Sequence, residues 1–74
     1  MNYFEMYKAV WDFHKKFISS IKDDDKFWET VVDESTAISK KYGECKFINS
    51  LLLGEIEEFE RICKEVRADA NTGV

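Results

Sequence analysis

Apolar residues recur along this chain at helical spacing in three stretches, parted by two polar breaks, Asp23-Asp24-Asp25 and Tyr42-Gly43-Glu44. Recurrence at three- and four-residue intervals puts side chains on one face of a helix, whereas a half-buried strand would alternate every second residue. No proline interrupts any stretch. The first stretch predicts a helix over about 3–21, with Asn2 as N-cap and Glu5 three residues on as its capping partner. At ~100° per residue, Tyr3, Phe4, Met6, Tyr7, Val10, Trp11, Phe13, Phe17, Ile18 and Ile21 fill about half of its circumference. An arc that wide can touch two neighbours.

The second stretch predicts a helix over about 26–42. Its aspartate run supplies a cap and negative charge at the positive end of the helix dipole. Phe27, Trp28, Val31, Val32, Ile38 and Tyr42 share its apolar arc, with the small Ser35 and Ser39 near the middle. Gly43 suits the left-handed position that ends many helices. The third stretch predicts a helix over about 45–67, with Cys45, Ile48, Leu51, Leu52, Ile56, Phe59, Ile62, Cys63 and Val66 in its arc. Residues 68–74 carry no apolar pattern and are expected to fray. Short links between helices of similar length predict an all-α, up-down-up three-helix bundle forming one domain over residues 1–74. Phe13, Phe17, Val31, Ile38, Leu52, Ile56 and Phe59 are the expected core.

Composition adds one tension. The chain has 74 residues, and a domain that small buries only roughly 60% of its unfolded surface. Yet it holds two Trp, three Tyr and six Phe. Either the core is unusually dense in rings or another subunit covers some of them, so the bundle is expected to be completed by homodimerisation. The net charge of −4, interspersed along the polar faces, argues against a nucleic-acid backbone as partner. The longest apolar run, Leu51-Leu52-Leu53, is far short of a membrane span, and the N-terminal residues lack the pattern of a secretion signal. Cys45 and Cys63 lie 18 residues apart on the third helix, ~27 Å along its axis. They cannot bridge each other there, which points to reduced thiols and a cytoplasmic setting.

Two polar residues interrupt the apolar arcs. His14, the only histidine, lies near the centre of the first arc, and Glu55 near the centre of the third. In an up-down-up bundle both sit ~17 Å from the same end, so a buried His14–Glu55 pair is expected. It can be read as a catalytic or ligand-binding dyad, or as a polar pair that fixes helix register. The second is favoured, because buried polar groups need partners whether or not they do chemistry.

Other chemistry is thinly signalled. Helical di-iron sites require Glu-x-x-His, and here Trp11 stands three residues before the histidine. Glu57-Glu58 faintly resembles the acidic helices of magnesium-dependent nucleotide pyrophosphohydrolases, but Arg61 replaces the next acid. No phosphate-binding glycine loop or Cys-x-x-Cys is present, and no cofactor is implied. Phe47, Ser50 and Gly54 form a line beside the third apolar arc, and Leu53 projects among polar residues. Together these four make the expected self-association surface.

Trp11-Asp12-Phe13-His14-Lys15-Lys16-Phe17, Phe27-Trp28-Glu29 through Asp33-Glu34-Ser35, and Leu51-Leu52-Leu53 with Glu55 to Glu60 resemble short helical proteins of Gram-positive anaerobes. Some of those are similar to passengers of phages and conjugative elements. The resemblance implies no activity and no functional residue. The expectation is a small helical module that acts through protein contacts, as a homodimer or with another protein. The rival is a metal-dependent enzyme that binds or hydrolyses nucleotides with helix carboxylates.

Overall fold

In the computed structural model, which describes residues 2–72 and the side chains of residues 2–66, three helices run in sequence: α1 (Tyr3–Ile18), α2 (Asp25–Lys41) and α3 (Lys46–Thr72). Among the described residues there is no strand. Each helix packs against both others as a small three-helix bundle. Cross-helix pairs establish its direction. Tyr3 meets Phe47 and Phe17 meets Phe59, so α1 and α3 run parallel. Phe17 meets Phe27, and the Tyr42 hydroxyl donates to the Glu5 carbonyl at 3.4 Å, so α2 runs antiparallel to α1. The chain therefore goes up, down and up.

Local chemistry sets the helix ends. Asn2 caps α1 by accepting from the Glu5 N–H at 3.1 Å, and Asp24 caps α2 by accepting from the Phe27 N–H at 2.7 Å. α1 stops at Ile18, three residues short of the expected end. The next two residues are serines, whose hydroxyls compete with helical hydrogen bonding, and the Ser20 hydroxyl donates back to the Phe17 carbonyl at 3.5 Å. Ile21 still packs on the core from outside the helix. α2 ends in a Schellman motif: the Gly43 N–H donates to Lys40 and the Glu44 N–H to Ser39. Gly43 (φ 74°) and Glu44 (φ 55°) both turn left-handed there. α3 continues to Thr72, past the expected end near 67. Gly73 and Val74, the last two residues of the expected frayed tail, lie outside the described residues.

The core is built from Met6, Val10, Phe13 and Phe17 of α1, Val31 of α2, and Ile48, Leu52 and Phe59 of α3. Phe59 is wholly inaccessible and packs against the rings of Phe13, Phe17 and His14. Ser35 is buried between helices, and its hydroxyl is satisfied by the Val32 carbonyl at 2.9 Å. Two expected core residues, Ile38 and Ile56, are only half-buried at the rim, and Val32, expected in the α2 arc, is 51% exposed. The buried side of α2 runs between Val31 and Ser35, and Val32 and Ile38 fall on opposite sides of that line, toward its two edges.

Candidate functional site

The wide apolar arc of α1 divides in two. Met6, Val10, Phe13 and Phe17 point into the core, while Tyr3, Phe4, Tyr7 and Trp11 lie on average ~100° further round and stay open to solvent. Phe4 is 75% exposed, and the other three are 55–56% exposed. These are the residues that periodicity had assigned to a core arc. Three core helices supply only one seam per pair, so an arc spanning half of α1 exceeds what α2 and α3 can cover. The signal for this was the arc's width together with the ring count.

α3 provides the other half of the same face. Phe47 lies beneath the α1 rings, edge-on to Tyr3 (centroids 4.8 Å apart) and Tyr7 (5.4 Å). It is half-buried within its own chain. Ser50 and Gly54 continue the line up α3, both exposed. A Cβ at Gly54 would meet nothing within 4 Å, so the surface above it is an open notch. Leu53 does not belong to this face. One residue of helix turns it ~100° from Gly54, and it lines a groove over α2 with Ser35, Thr36 and Ser39. The expected surface of Phe47, Ser50, Leu53 and Gly54 is therefore split between two seams.

His14 and Glu55 meet at the upper end of the ring face. The His14 Nδ1–H donates to Glu55 Oε2 at 2.7 Å, and Trp11 stacks on the imidazole at 5.4 Å with planes 11° apart. The pair was expected to be buried, but each side chain keeps about a quarter of its surface (25% and 24%). The α1–α3 seam that holds them is flanked by solvent, since the core direction of α1 is set by Phe13 and Phe17 rather than by the middle of its apolar arc. No buried side-chain polar atom among the described residues lacks a hydrogen bond, so the interior leaves no group orphaned to receive a ligand.

Among the described residues the carboxylates do not converge. Among the described residues, no three acidic, cysteine or histidine side chains are grouped to hold a metal ion. Glu29 and Asp33 are exposed on α2, and Glu57 and Glu60 on α3. Glu58 is engaged by Arg61, whose guanidinium reaches it twice, at 2.6 and 2.7 Å, and also reaches Glu65 at 2.6 Å. Those hydrogen bonds, chiefly, hold the Glu58 carboxyl below its usual range, and the same contacts raise Arg61. Cys45 and Cys63 are free thiols, the second buried in the bundle. Among the described residues, no helix is long and apolar enough to cross a membrane.

Comparison with known proteins gives no relative to argue from: no protein-family model matches this chain, and neither does a curated protein or a solved structure.

Proposed function

We propose that this protein is a small interaction module that acts by contact rather than by chemistry, through the face shared by α1 and α3. One observation carries the reading: Tyr3, Phe4, Tyr7 and Trp11 are each more than half exposed, side by side on one helix. Rings of roughly 200 Å² apiece at those exposures leave about 500 Å² of aromatic surface in water. A patch of that size is at the upper end of what a monomer displays, and such patches mark binding surfaces. Tyr and Trp are also the residues that dominate binding energy at interfaces.

The setting we propose is the cytoplasm, in keeping with two free thiols, Cys63 within α3 and Cys45 just before its start. We place it among accessory proteins of mobile elements, which work in this way.

The test is chemical cross-linking in the source cells, followed by capture of the tagged chain. Wild type is expected to yield a specific cross-linked species, which Trp11→Glu abolishes and Glu29→Lys, on the exposed side of α2, leaves intact. Cross-linking unaffected by Trp11→Glu would refute the reading.

A further inference from the structure

The α1–α3 face has a ridge on one side and a notch on the other, and from this we propose that its occupant is a second copy of the same chain. This rests on the interaction reading above and adds the partner and its orientation. The ridge is Phe4, Tyr7 and Trp11; the notch is the Ser50–Gly54 line, open above Gly54. Two copies face to face can be related by a two-fold axis along the helices or across them. An axis along the helices lays α1 of each copy over α3 of the other, so both ridges meet notches. An axis across them lays α1 on α1, ring against ring, and leaves both notches empty. Self-complementarity, which any two-fold interface requires, selects the first.

Register agrees. The pairs Tyr3–Phe47, His14–Glu55 and Phe17–Phe59 place residues at equal heights on α1 and α3 with sequence offsets of 44, 41 and 42. Trp11 is thus level with Leu53-Gly54, and Lys8 with Ser50. A two-fold axis along the helices preserves height, so Trp11 of one copy arrives over Gly54 of the other.

Charge agrees as well. Lys8 and Lys15 flank the outer edge of the ridge, Lys15 3.4 Å from Asp12 of its own helix, whereas Glu57, Glu58 and Glu65 border the notch, with Arg61 held between the last two. Parallel docking brings Lys15 level with Glu57 of the other copy, and crossed docking brings lysines against lysines. Area is sufficient: the rings alone bring about 500 Å² per copy, more than half of the roughly 800 Å² per partner in a stable interface. Phe47, Leu51 and Ile18 at the seam add to it.

Sedimentation equilibrium from about 1 to 500 µM is the first measurement, a span that brackets micromolar affinity. The expected result is twice the 8.7 kDa chain mass at the upper end. Trp11→Glu should weaken the dimer by about 30-fold or more, as loss of a central ring does, with unchanged helical circular dichroism. Gly54→Leu fills the notch and should weaken the dimer while the melting temperature of dilute monomer holds or rises, since the site is open and glycine is the poorer helix former.

Orientation is read separately. Lys8→Cys and Ser50→Cys are placed on different chains, each in a Cys45→Ser, Cys63→Ala background. Those positions lie on opposite edges of the face in one chain, yet should form a disulfide between copies. A mass of 8.7 kDa throughout overturns the second copy; Trp11-dependent cross-linking to another protein would then leave the interaction reading standing. A dimer insensitive to Trp11→Glu, or Lys8→Cys bridging to itself in preference to Ser50→Cys, overturns the proposed docking.

Discussion

Phe59→Ala tests the centre of the bundle. Phe59 is wholly inaccessible and touches Phe13, Phe17 and His14, so its ring joins α3 to the C-terminal half of α1. Truncation withdraws about two-thirds of a roughly 200 Å² side chain from the core, ~3 kcal/mol at ~25 cal/mol per Å². The cavity left behind adds to this, which brings the expected loss to ~3–5 kcal/mol. A chain of this length has a total stability of ~4–11 kcal/mol, so the variant should be close to unfolding in water. The assay is urea denaturation followed by far-UV circular dichroism, at concentrations below dimer formation. With a slope of ~1 kcal/mol per molar, the midpoint should fall by ~3–5 M. Phe4→Ala is the control: the same chemistry at 75% exposure should cost no more than about 0.5 kcal/mol in the monomer. A Phe59→Ala loss under about 1.5 kcal/mol, or one matched by Phe4→Ala, would show that the core does not centre on this ring.

Three further outcomes follow from the same geometry. Gly54→Ala should stabilise the monomer by ~0.8–1 kcal/mol, because the site is helical and open; a lower melting temperature would mean a neighbour already occupies that space. His14→Leu and Glu55→Gln should be coupled by ~1 kcal/mol in a double-mutant cycle of urea stabilities, as expected for a partly buried hydrogen bond, and simple additivity would show the 2.7 Å contact to be inconsequential. The Glu58 carboxyl is held low by Arg61, so its contribution is present above the unfolded pKa of ~4.3 and is lost as pH falls through the folded value. Melting temperatures from pH 6 down to 3 should therefore drop more for wild type than for Glu58→Gln, and parallel curves would rule out that contribution.

The caps at Asn2 and Asp24 and the left-handed stop at Gly43 act within a few residues of chain, and so they could be read without knowing what the helices touch. The three helices and their up-down-up order follow from those signals and from the apolar periodicity. The shared height of His14 and Glu55 was readable for the same reason, since helical rise fixes depth along a bundle. What the linear pattern could not provide is the direction in which each helix faces its neighbours. That direction is set by which side chains interlock, with Val31 and Ser35 turned inward on α2 and Phe59 filling the interior from α3. It decides that Phe13 and Phe17 are inside while Tyr7 and Trp11, equally apolar and on the same periodic arc, are outside. It also moves Leu53 to the α2 seam and leaves Gly54 on the ring face, although the two are adjacent in sequence. Periodicity reports how wide an apolar surface is, but only packing decides which half of it the chain can cover by itself.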